Sequence, residues 1–147
     1  MKRTFFAAAL LLSLPALADA PKPEAVITYR QSVFHMILWN FQPLGEMARG
    51  RRPFDAAEFE RRADRLAFLA PQLEEGFTPG SDKGATTDAL PEIWKNRADF
   101  DQKLADLVRE TKALSEAAKT GDEAKMKAQF PKTAAACKSC HEKYRAE

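Results

Sequence analysis

Three observations on the sequence predict an all-α chain folded as an antiparallel four-helix bundle. Four segments carry apolar residues at intervals of three and four, no segment alternates as a strand would, and one long stretch is dominated by turn-forming residues. At 147 residues the chain suits one domain around one core, and it shows no internal repeat.

The first helix is expected from roughly Glu24 to Arg49, with Val26, Val33, Ile37, Leu44 and Met47 on one stripe and Tyr29, Phe34 and Phe41 beside it. Gly50 is the stop, and Pro43 should kink or shift the helix near Trp39 and Asn40 because it lacks a backbone donor. The second helix follows Arg51-Arg52-Pro53, capped by Asp55, with Phe59, Ala63, Leu66, Ala70 and Leu73 along one face and Pro71 at its end. Residues 74–89, rich in Gly, Pro, Ser, Thr and Asp, read as the one long loop, with Phe77 as the apolar anchor that tucks it onto the core. The third helix opens at Pro91 and carries Ile93, Phe100, Leu107 and Leu114 at seven-residue spacing. Thr120-Gly121-Asp122 separates it from the fourth, where Met126, Phe130, Ala134, Cys137, His141 and Tyr144 define the expected buried stripe and Pro131 bends or delays the start.

Residues 1–18 have another character. A basic start (Lys2, Arg3), an apolar run from Phe5 to Leu14 and the small residues Ala16-Leu17-Ala18 read as a secretory signal peptide, leaving a mature domain over 19–147. The apolar run is too short to span a bilayer, which predicts an exported protein without membrane insertion. Removing it lowers the 23 basic residues to 21, equal to the 21 acids, so no basic excess points to nucleic acid.

Only two cysteines are present, in Cys137-Lys-Ser-Cys140-His141. A disulfide across that spacing would close almost no loop and stabilise little. Cys-x-x-Cys-His is instead a c-type haem attachment signature. On a helix, positions i and i+3 share a face, so both thiols can meet the vinyl groups on one porphyrin edge, and His141 follows as the axial ligand to iron. A structural zinc site needs about four ligands, and His35 is the only other histidine. A thioredoxin-like dithiol is the stronger rival, but that motif opens a helix after a strand.

The motif on the last of four helices resembles the class II c-type cytochromes, the cytochromes c′ and low-spin relatives such as cytochrome c-556. The likeness extends to Tyr29-Arg30-Gln31-Ser32, to Gly50 with Pro53-Phe54-Asp55, to Phe77 with Pro79-Gly80, to Pro91-Glu92-Ile93-Trp94 and to Lys143-Tyr144-Arg145. It implies one haem c held by Cys137 and Cys140, with iron bound by His141. In the c′ branch the distal position on the first helix carries an apolar residue, and in low-spin relatives a methionine. Here that position is Phe34, whose phenyl ring has no lone pair for iron, which gives a five-coordinate haem. His35 and Met36 point about 100° and 200° away from Phe34 on a helix of 3.6 residues per turn. His35 then reads as a surface or interface residue and Met36 as a core filler.

The resemblance also implies that Arg30 and Gln31 meet the haem propionates, though Arg30 could equally belong to a solvated face. It places Arg145, four residues beyond His141, beside the proximal pocket; otherwise Arg145 is a terminal arginine favoured by the helix dipole. Phe77 and Trp94 are expected in the core, in contact with the porphyrin edge. The implied function is electron transfer with redox partner proteins and binding of small gases such as nitric oxide, in the periplasm, without enzymatic turnover. A homodimer through the first helices would use an exposed Trp39. The alternatives are a low-spin six-coordinate carrier and a haem-free helical dithiol protein.

Overall fold

The structure is a computed structural model that describes residues 20–146. The expected signal peptide over 1–18, Asp19 and Glu147 lie outside the described residues. Helix α1 spans Pro23–Ala48, α2 Ala56–Leu69, α3 Glu92–Lys95, α4 Arg97–Lys119 and α5 Glu123–Tyr144, with a 3-10 segment over Ala70–Phe77. Helices α1, α2, α4 and α5 form the four-helix bundle, in which α4 packs on both α2 and α5 and α1 on α2 and α5. The only strand-like pairing among the described residues is the isolated bridge between Ala89 and Arg145. No described helix is long and apolar enough to cross a membrane.

Local chemistry explains the helix ends. Asp55 caps α2 by accepting the Glu58 N–H at 2.9 Å, and Asp122 caps α5 by accepting from Ala124 and Lys125. Gly50 takes the left-handed conformation (φ 68°), so that Gly50 N–H reaches Met47 O and Arg51 N–H reaches Glu46 O beyond the end of α1.

Pro43 does not end α1. Its missing N–H would have bonded the carbonyl four residues back, Trp39 O. That oxygen instead accepts from Arg62 Nη1 on α2 at 3.2 Å. Arg62 Nε is in turn held by Glu58 at 2.8 Å, and Glu58 also binds Arg52.

Two expectations are corrected. Pro71 does not stop the second helical stretch, because a proline fits the first turn of the 3-10 segment that continues to Phe77, so residues 74–77 are helical and not loop. The third helix is broken at Asn96 (φ −117°, ψ 47°), which ends α3 and begins α4.

The core falls into three clusters. Leu44, Met47, Phe59, Leu66, Leu114, Met126 and Phe130 fill one end of the bundle. Val33, Leu73, Leu107 and Ala136 form the middle, and Phe77, Ile93, Phe100 and Tyr144 the other end. The seven-residue stripe of α3 and α4 is buried as expected, from Ile93 to Leu114. On α5 Met126, Phe130 and Tyr144 are buried as expected, Thr133 and Ala136 join them, Cys137 and Cys140 are half-buried and His141 is at the surface. At 100° per residue His141 lies about 40° from Cys137 and about 60° from Tyr144, on the side of α5 that carries the haem motif.

Removing Arg62 should leave Trp39 O without its donor. Arg62→Ala is expected to destabilise the fold by about 1 kcal/mol, and by less when Pro43→Ala returns an N–H to that carbonyl. Urea unfolding of the four members of this double-mutant cycle measures the coupling.

Candidate haem site

The middle and end clusters meet at Phe34. It packs against the cluster containing Cys137 and against the cluster containing Cys140, and its ring stands edge-on to Phe77 with centroids 6.3 Å apart. Leu104 of α4 also touches both clusters. Beside it a groove of about 600 Å³ opens between the 3-10 segment and α4, with Pro71, Leu104, Ala105 and Val108 among its lining and Glu74, Asp101 and Lys112 at its margin. Val108, which also touches the Cys137 cluster, was not singled out in the sequence because it lies outside the seven-residue stripe.

Cys137 and Cys140 are free thiols on α5. Burial pushes the Cys137 thiol up to about 11, with the neighbouring Cys140 adding to the rise, and burial also raises Cys140. His141 moves the other way. Partial desolvation and then the charge of Arg145 hold it below the ordinary histidine range, which favours the neutral imidazole that ligates iron. The donor set fits haem c: two thiols on one helical face, a neutral imidazole one turn from Cys137 and apolar walls from Phe34, Phe77 and Leu104.

Arg30 is not on a solvated face. It is 2% exposed, with Nη1 donating to Gly76 O at 3.2 Å and to Ser81 O at 2.7 Å, and Nη2 donating to Thr87 Oγ1 at 2.8 Å. Its guanidinium carbon lies 5.2 Å from the Phe77 ring centre and 5.6 Å from that of Trp94. Gln31 donates to Thr86 O at 2.9 Å. The loop thus takes up hydrogen-bond donors that the resemblance assigned to propionates. Gly76 is required here, since a Cβ at that position would fall 2.5 Å from Arg30 Cβ.

Phe77 is buried at the centre of the end cluster, confirming the anchor, although it ends the 3-10 segment. Trp94 is half-buried, with its indole N–H donating to Thr78 O at 3.0 Å. Arg145 does not continue the helical face of His141. It has extended backbone after α5, is exposed and reaches Asp88 at 3.5 Å, because residues 145 and 146 pair with the backbone at 88–89 instead of extending the helix. His35 is exposed, as expected of a surface histidine. Met36 is 47% exposed and does not fill the core, because it shares the outer face of α1 with Trp39. A further pair went unforeseen: Tyr144 donates to Asp99 Oδ2 at 2.6 Å, across 45 positions of sequence.

A sequence profile of the family described as Cytochrome C′ matches residues 25–145. Cytochrome c′ of Rubrivivax gelatinosus is 37% identical over 84% of this chain and 96% of its own length. The solved structure of cytochrome c prime from Shewanella frigidimarina superposes with a TM-score of 0.83 at 43% identity, covering 88% of this chain and all of that one. A nitric oxide complex of a mutant of cytochrome c prime from Alcaligenes xylosoxidans gives a TM-score of 0.80 at 35% identity, over 88% of this chain and 99% of its own.

In the haem-free chain the thiolate of Cys137 should be scarce. Moving from the ordinary value of 9.0 to about 11 lowers its fraction at neutral pH by about a hundredfold. Alkylation of Cys137 is therefore expected to be about a hundredfold slower in the folded than in the denatured chain. Its rate should keep rising with pH up to about 11 in the folded chain, as quantitative mass spectrometry would read.

Proposed function

Because the chain belongs to the cytochrome c′ family, whose members carry covalent haem c, we propose that it is an exported, periplasmic electron-transfer cytochrome with a five-coordinate haem that binds nitric oxide and carbon monoxide. Cys137 and Cys140 tether the macrocycle and His141 supplies the one protein ligand to iron. When bound, the haem supplies the redox centre and a vacant coordination position.

The observation that carries this reading is the place of Phe34. It lies where the two cysteine-bearing clusters meet, while His35 and Met36, the neighbouring side chains able to bind iron, are exposed and line a separate groove with Trp39 and Phe68. Phe34 excludes by bulk: a gas must displace the ring, which disfavours dioxygen and leaves uncharged diatomics that bind more strongly. The nitric oxide complex of the Alcaligenes relative supports the same ligand class here. Arg145 keeps a place in this scheme through its charge, which reaches His141. Gln31, exposed beside Thr86, offers a donor to the propionates, while Arg30 keeps its loop acceptors. Residues 1–18 direct export, and the protein acts as a carrier and not as an enzyme.

The absorption spectrum of the purified holoprotein tests the coordination. High-spin bands are expected in both redox states, and sharp low-spin bands would refute the role of Phe34. Phe34→Ala should raise carbon monoxide affinity by about tenfold or more, read by titration of the ferrous protein.

The outer face of α1 and α2 supports a homodimer. Trp39 (73% exposed), Phe68 (71%), Leu38 and Met36 are large apolar side chains left in water, and the buried Asn40 Oδ1 beside them has no hydrogen-bond partner. Sedimentation equilibrium should find a dimer that Trp39→Glu converts to monomer. A native chain that sediments as a monomer at high micromolar concentration would rule this out.

A further inference from the structure

Tyr144 is 2% exposed and shares the end cluster with Phe77, Ile93, Phe100 and the half-buried Cys140. It lies four residues after Cys140 on α5, a spacing that sets the two side chains on one face with Cβ atoms about 5–6 Å apart. The ring is dry, but the phenolic proton is not enclosed. Its acceptor, Asp99 Oδ2 at 2.6 Å, belongs to a carboxylate 46% exposed to water, with Lys143 Nζ 2.9 Å from the same oxygen. The Tyr144 O–H and then Lys143 hold the Asp99 carboxyl below the usual carboxylate range, so at neutral pH it is ionised and able to take a proton.

The other oxidisable aromatic side chains lack this arrangement. Tyr29 donates to a backbone carbonyl, Gln72 O at 3.1 Å, which is too weak a base to accept the proton. Trp94 likewise donates to a carbonyl, and the Arg30 cation 5.6 Å from its ring disfavours loss of an electron there. Trp39 stands on the outer face of α1, outside the three clusters.

We propose that Tyr144, with Asp99 as proton acceptor, is a one-electron donor to the haem held at Cys137 and Cys140 when the protein meets hydrogen peroxide. This inference rests on the haem reading above. In the step the phenolic O–H bond breaks, the proton passes to Asp99 Oδ2 and the electron to the haem, leaving a neutral phenoxyl radical and a carboxylic acid. Reducing hydrogen peroxide to two water molecules consumes two electrons and two protons. Iron(III) supplies one electron and Tyr144 the other. Asp99 returns its proton to water, and the second proton comes from water. The oxidising equivalent then rests on a side chain beside the surface, where external reductants can reach it through Asp99 and Lys143, and not on the porphyrin.

The ferric holoprotein, mixed with hydrogen peroxide and frozen, is examined by electron paramagnetic resonance after its Soret band has been recorded. A tyrosyl signal is expected in the native protein and in Tyr29→Phe, and none in Tyr144→Phe. In Asp99→Asn the signal should grow about tenfold more slowly, because an amide replaces a charged acceptor. A tyrosyl signal that persists in Tyr144→Phe, an unchanged rate in Asp99→Asn, or no radical in a native protein with a normal Soret band would overturn the proposal. A native protein without a Soret band would instead overturn the haem reading. Should Tyr144→Phe fail to incorporate haem, spin trapping and peptide mass spectrometry on the native protein decide: an adduct on Tyr144 supports the proposal, and adducts confined to Tyr29, Trp94 or Trp39 refute it.

Discussion

A guanidinium buried without a carboxylate partner organises the haem-bearing end of this bundle. Desolvating a charge is costly, and an unpaired one survives only if its donors are used. Arg30 meets that condition by gathering Gly76 O, Ser81 O and Thr87 Oγ1, which lie 46 to 57 positions along the chain from it, and by resting against the faces of Phe77 and Trp94. The loop therefore has one seating. Burial draws the Arg30 pKa down and the nearby Asp82 charge opposes this, yet arginine remains charged at any physiological pH. The clamp is insensitive to ordinary pH change.

What the clamp positions is an aromatic wall. Phe77 sits 4.7 Å from Phe100 between ring centres, and Phe100 stands edge-on to Tyr144 at 5.4 Å. Phe34 closes the wall from α1. The arrangement joins the loop, α1, α4 and α5 around the two cysteines, so the walls of the haem site are also the core of that end of the molecule. The opposite end, built on Phe59, Leu66, Leu114 and Met126, packs without any such polar centre. Stability and cofactor chemistry are therefore divided along the bundle axis, with Val33 and Leu107 between them.

Much of this was legible in the sequence. The stripes of α1, α2 and α4, the Asp55 cap and the Cys-x-x-Cys-His motif are local signals, and local signals survive into the fold. The misreadings share a different cause. The burial of Arg30 depends on a loop more than 45 positions away, and the Tyr144–Asp99 bond on the pairing of α4 with α5. The donor that the Trp39 carbonyl finds opposite Pro43 comes from another helix. Pro71 looked terminal because a proline says nothing of whether a 3-10 turn will follow. In each case the missing information was a contact between elements.

The close approach of Gly76 to Arg30 bears on how this protein can change over evolutionary time. With 2.5 Å between a Cβ at position 76 and that of Arg30, no side chain is tolerated there unless α1 or the 3-10 segment moves, and either movement would misplace Phe77. Shortening the side chain at position 30 would not relieve the contact, because every residue but glycine keeps that Cβ, and it would also release the loop. Single substitutions at either position thus pass through a poorly folded intermediate, whereas the exposed loop residues Lys83 and Ala85 carry no such restriction. Sequence drift in this chain is channelled into the outer turn of a loop whose two ends are fixed by one side chain.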